Sequence, residues 1–191
     1  MPTIKISLLA SAAAIILAGP AAANCDKVTF SDVGWTDITA TTAVTSLVLQ
    51  ALGYDTETKV LSVPITYASM AEGNIDVFLG NWMPTMEADI APYREAGTVD
   101  TVRTNLTGAK YTLATNAAGV AAGITDFASI AQATEVLDGK IYGIEPGNDG
   151  NRLIMDMVDG DAFGLKGFEV VESSEQGMLA QAMRAEERNE P

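Results

Sequence analysis

Apolar and polar positions alternate between two rhythms along this chain. A short β-prone run, KVTF at 27–30, is followed by TDITATTAVTSLVLQALG, where Val44, Leu47, Val48, Ala51 and Leu52 recur at helical spacing. Gly53 is the stop signal of that helix, and Thr36 or Asp37 can cap its start. DTETKVLSV at 55–63 alternates as a strand does, and PITYASMAEG opens on proline and closes on glycine like a helix. NIDVFLGNW at 74–82 has the continuous apolar centre of a strand buried on both faces. MPTMEADIAPYREAG predicts a further helix, with Pro92 as a candidate break.

The second half repeats the pattern. AKYTLATN (109–116), KIYGIEPG (140–147) and FEVVESS (168–174) read as strands. DFASIAQATEVLDG (126–139), NDGNRLIMDMV (148–158) and EQGMLAQAMRAEERNE (175–190) read as helices. In the second of these, Leu153, Ile154, Met157 and Val158 share a face; in the third, Met178, Leu179, Ala182 and Met183 are expected to point inward. Strands separated by helices predict an α/β architecture with mostly parallel sheets. Residues 97–109 have weaker periodicity and suit a crossing between two lobes, expected at 24–110 and 111–191.

Composition narrows the chemistry. The 191 residues carry a formal net charge of −14, a surface that repels nucleic-acid phosphates and anionic lipid. There is no histidine, which removes His-based triads, His general bases and ordinary zinc sites. No Walker A, G-x-G-x-x-G, G-x-S-x-G or EF-hand loop occurs, and neither a cofactor nor a metal is expected. Residues 1–23 read as a cleaved export signal: one lysine, an apolar run, and an A-x-A ending at Ala23. The expected compartment is the periplasm. Cys25 is the single cysteine, with its pairing state left open.

In open parallel sheets, ligands sit beyond the carboxyl ends of the strands. The segments that follow those ends here are SDVGWTD, GNWMP and PGNDGN, so both tryptophans of the chain, Trp35 and Trp82, fall on the same predicted edge. Tyr111 lies near the crossing into the second half. A lone tryptophan usually packs in a core, and Asp37, Asn148 and Asp149 are ordinary helix-capping types. Two tryptophans on one ligand edge favour a binding role. Aromatic faces attract cations by roughly 0.5–2 kcal/mol each, and quaternary ammonium suits them because it makes no strong hydrogen bonds.

The stretches TFSDVGWTDITATTAV, GNIDVFLGNWMP, KYTLATN, GIEPGNDGN and ESSEQGMLAQ, in that order, resemble periplasmic substrate-binding proteins of choline and glycine betaine ABC importers. The likeness runs from about Lys27 to Arg188 and is nearest to the choline-binding members. It implies the type II periplasmic binding protein fold, with two hinged lobes closing on the ligand. Trp35, Trp82 and Tyr111 match three walls of an aromatic box, and Asp37 and Asn148 match the polar residues at the ligand's hydroxyl end. The family's fourth wall is a tryptophan after the EQGMLAQ helix, so the chain is expected to be C-terminally truncated, stopping before the return to the first lobe. The implied partners are choline or a related quaternary amine and an ABC permease, and the protein is expected to be a monomer. Asp37 would repel betaine's carboxylate and accept from choline's hydroxyl, which favours choline over glycine betaine or proline betaine. Two rivals are an exported enzyme on the same scaffold, drawing on carboxylates or Lys110, and a binding protein that serves a chemoreceptor.

Overall fold

The computed structural model describes residues 26–191. The expected export signal, residues 1–23, and Cys25 lie outside the described residues. The chain folds around two parallel sheets. β1 (Lys27–Asp32) lies between β2 (Asp55–Val60) and β3 (Val77–Phe78). The second sheet pairs β4 (Lys140–Tyr142) with β5 (Glu169–Val171), Ile141 opposite Val170.

A central strand is covered on both faces, and β1 accordingly buries Phe30, Ser31 and Asp32. The hydroxyls of Ser31 and Thr66 satisfy each other at 2.6 Å, and the Thr29 N–H donates to Asp76 at 2.7 Å. The first core gathers Val33, Trp35, Ile38, Val63, Tyr67, Met86, Ile90 and Val99. The second gathers Ile124, Ile130, Ala133, Ile141, Leu165 and Phe168.

Most of the expected helices form. They are α1 (Thr36–Ala51), α2 (Val63–Ala71), α3 (Glu87–Glu95), α4 (Ala117–Ala121), α5 (Phe127–Ile130), α6 (Asp149–Asp159) and α7 (Glu175–Arg188). The pattern did not predict α4, which the Asn116 side chain caps. Pro92 does not break α3: one N–H is lost, while its carbonyl accepts from Ala96 at 3.1 Å. The helix expected over 126–139 shortens to α5 and a 3-10 turn at Ala131–Ala133.

The rotation of α1 departs from expectation. Its buried stripe is Ile38, Thr42 and Ser46, while Val44, Leu47, Val48 and Leu52 are 55–69% exposed. Positions two apart lie about 200° around a helix, so the two stripes face opposite ways. The first turn sets the phase: the Asp32 carboxylate accepts from the Gly34 N–H and the Thr39 hydroxyl, both at 2.7 Å. α7 departs similarly. None of its residues is buried, and Leu179 and Met183 are exposed. In α6, Ile154, Met157 and Val158 do pack on the second core.

Residues 109–116 were expected to form a strand but join no ladder among the described residues. An extended segment becomes a strand only with a hydrogen-bonding partner. Here it runs past a cavity, with Leu113 against the second core.

Candidate functional site

Between the two sheets lies a cavity of about 590 Å³. Its lining includes all five residues singled out from the sequence: Trp35, Asp37, Trp82, Tyr111 and Asn148. The βα loops deliver the tryptophans. Gly34, at φ +84, turns the chain out of β1 through a conformation that suits glycine. Trp35 follows in extended backbone and occupies the position before α1. Trp82 follows β3, and its carbonyl accepts from the Thr85 hydroxyl at 3.0 Å and the Met86 N–H at 2.9 Å.

The structure corrects one expectation about capping and meets another. Trp35 takes the N-cap position of α1, so Thr36 and Asp37 lie within the helix and neither caps it. Asp37 is an exposed carboxylate in the first turn, where the helix dipole favours negative charge. Asn148 does cap α6: its Oδ1 accepts from the Gly150 N–H at 2.7 Å.

Glu145, which the sequence reading did not single out, ties the site together. Both of its oxygens accept from the Trp35 indole Nε1 at 3.0 Å, across 110 positions of chain. Oε1 also accepts from Asn148 Nδ2 at 3.0 Å. The Tyr111 hydroxyl donates to Asn148 Oδ1 at 3.3 Å. A network from Trp35 through Glu145 and Asn148 to Tyr111 therefore orients three of the five residues. Gly150 makes room for its last member, because a Cβ there would come within 2.1 Å of the Tyr111 oxygen. Tyr111 is 58% exposed, yet its hydroxyl end is tucked against Asn148 and Gly150. That desolvation, then the charges of Asp149 and Glu145, push its phenol up to about 12. The hydroxyl thus stays protonated, and a donor, throughout the physiological range.

Other contacts join the two halves around this cavity. The Thr36 N–H and hydroxyl donate to Glu175 Oε2 at 2.7 and 3.1 Å. Gln176 Nε2 donates to the Gly34 carbonyl at 2.6 Å. Arg152 grips Asp89 bidentately at 2.8 and 3.1 Å and also reaches the Thr85 carbonyl. These bonds hold the guanidinium above its ordinary range, the Asp89 hydrogen bond being the main cause. The early turns of α6 and α7 thus close over the loops that carry Trp35 and Trp82.

Electrostatically the lining is acidic. Asp37, Asp149 and Glu175 contribute carboxylates, and Lys110 is the basic residue among them. Phe127 and Tyr142 also border the cavity, though Phe127 is engaged with Phe163 at a ring separation of 5.4 Å. A cavity with indole and phenol walls, carboxylates and few cations suits an organic cation better than an anion. Among the described residues no group of three or more Cys, Asp or Glu is placed to hold a metal ion. No described helix is long and apolar enough to cross a membrane.

Residues 26–191 match the family described as the substrate binding domain of ABC-type glycine betaine transport systems. An ABC-transporter choline-binding protein, solved in complex with choline, is 70% identical and superposes with a TM-score of 0.84. That match covers 87% of this chain and 57% of the other, so the chain spans little more than half the length of that protein. A glycine betaine/L-proline-binding protein from Borrelia burgdorferi is 25% identical with a TM-score of 0.64, covering 86% of this chain and 60% of its own. A protein of Chromohalobacter salexigens described only as ORF1 is 49% identical over 132 residues, 69% of this chain and 85% of its own. The fold is that of the type II periplasmic binding proteins, and the matching proteins of described function bind transport substrates rather than catalyse reactions. The chain belongs to the family of substrate-binding domains of ABC-type glycine betaine transport systems.

Proposed function

We propose that this chain is the ligand-binding part of a periplasmic substrate-binding protein that delivers choline to an ABC importer. Its lobes are residues 24–110 and 111–191, and the protein works as a monomer beside its permease. Trp35, Trp82 and Tyr111 form three walls around the trimethylammonium group, while Asp37 and Asn148 face the hydroxyl end. The observation that carries this reading is one cavity bounded by both tryptophans and Tyr111, with an acidic lining. The 70% identity to a protein solved with choline supports it.

The ligand's two ends explain the choice. Trimethylammonium makes no strong hydrogen bonds, so aromatic faces replace its hydration at little cost. Glycine betaine, named in the family description, carries the same head and a carboxylate tail. That tail would need cationic or N–H donors, and Asp37 would oppose it; a hydroxyl can donate to Asp37 instead.

Asp37→Asn tests the assignment. Choline affinity is expected to fall about fivefold, the difference between a charge-assisted and a neutral hydrogen bond. Betaine affinity is expected to hold or improve, because a repulsion is removed. Calorimetric titration of both ligands into both proteins reads this directly. An equal loss for the two ligands would reduce Asp37 to a partner of the α1 dipole.

A further inference from the structure

Asp149 is the first residue of α6, lines the same cavity and is 1% exposed. Among the described residues no group donates a hydrogen bond to its Oδ2, which is itself buried. A buried carboxylate oxygen without a partner is costly unless something else balances it. The α6 dipole accounts for part of that balance, since negative charge is favoured at a helix N-terminus. The nearest cation along the helix is Arg152, which feels the Asp149 charge but makes its direct, bidentate contact with Asp89. The ion pairs among the described residues are Lys27–Glu57, Arg94–Glu87, Lys140–Asp138, Arg152–Asp89 and Arg188–Glu190, so Lys110 makes no direct ion pair with Asp149. Burial is the main cause that raises the phenols of Tyr67 and Tyr111; the Asp149 charge adds to it, after Asp89 at Tyr67 and ahead of Glu145 at Tyr111. With 1% of its surface exposed, Asp149 is buried in the wall of the cavity rather than at its solvent rim.

We propose that Asp149 is the counter-charge of the bound cation: its buried carboxylate balances the quaternary ammonium held by the aromatic walls, and so selects a charged head over a neutral one of the same shape. This deepens the reading given above and rests on it. Asp37 and Asn148 then handle the ligand's tail, and Asp149 handles the charge that the rings satisfy only in part. Contact is through space and weak C–H···O approach, since the methylated nitrogen carries no N–H.

The test compares choline with 3,3-dimethylbutan-1-ol, which replaces the nitrogen by carbon and keeps the hydroxyl. Both are titrated into the wild-type chain, Asp149→Asn and Asp149→Ser, with thermal melting as the check on folding. Two neutral variants are used so that a fold lost in one still leaves a reading in the other. The preference for choline over the neutral alcohol is expected to drop at least about tenfold in each folded variant, as when one member of a buried charge pair is removed. A loss shared equally by the two ligands would overturn the proposal, because it would mean that Asp149 packs, caps or accepts from the hydroxyl. Unchanged affinities would overturn it as well. Wild-type chain that binds no quaternary ammonium at all would overturn the choline reading and this inference together, whereas wild-type binding with an unchanged preference in the variants would overturn the inference alone.

Discussion

Trp35→Ala is expected to lower stability by about 3–5 kcal/mol, the range for truncating a large buried aromatic residue, and to abolish measurable choline binding. Trp35 is 6% exposed and packs in the first core with Val33, Ile38, Val63 and Tyr67. The same indole faces the cavity and donates to Glu145. Its removal leaves a void, takes a wall from the site and leaves the Glu145 oxygens without that donor. Trp35→Phe separates these roles. The ring largely fills the void, so most of the core contribution returns, but the N–H is gone. An acceptor deprived of its donor costs about 1–3 kcal/mol, so Trp35→Phe is expected to remain folded and still bind weakly. Urea denaturation and fluorescence titration of both variants measure the two effects. An alanine variant that melts with the wild type would show that this indole contributes neither to the core nor to the contact between the halves.

Trp82→Ala is expected to act on binding far more than on stability. Trp82 is half-buried at the margin of the first core, so its truncation should cost no more than about 1–2 kcal/mol of folding free energy. Its exposed face meets the cavity. Losing one cation–π wall removes roughly 0.5–2 kcal/mol, an affinity loss between about twofold and thirtyfold. Trp82→Phe is expected to fall between the two, because the smaller ring has a weaker quadrupole. Calorimetry with choline reads the series. Unchanged affinity in Trp82→Ala would make Trp82 a packing residue.

Much of the fold was legible because the chain changes period where the backbone changes state. The β1–α1, β2–α2 and β4–α6 units follow from local signals: β-prone runs, Pro at the start of α2, Asn148 before α6. The phase of α1 was not legible. Its strongest apolar stripe faces outward because Asp32, a residue of the preceding strand, fixes the first turn through Gly34 and Thr39. Pattern counting treats a helix alone and has no access to that constraint. Residues 109–116 misled for a related reason: alternation marks a segment that can pair, and pairing depends on a neighbour.

For the site, Trp35 and Trp82 could be read because strand-end loops are where parallel sheets present ligands. Asp37 and Asn148 both line the cavity, and of the two capping candidates only Asn148 caps its helix. Glu145 stands in the GIEPG stretch on the same edge, and that position was the available signal. Nothing local says that its carboxylate reaches the Trp35 indole 110 positions earlier. Asp149 reads as a helix-start residue in sequence, and only its burial in the cavity, with an unmatched oxygen, gives it another meaning.

In the proposed function this cavity holds a quaternary ammonium ligand whose tail is a hydroxyl rather than a carboxylate. Isothermal titration calorimetry of the wild-type chain with choline and with glycine betaine, in the same buffer, tests it most directly. Saturable binding of both through the shared trimethylammonium head is expected, with choline clearly tighter. Glycine betaine binding as tightly as choline, or more tightly, would contradict it.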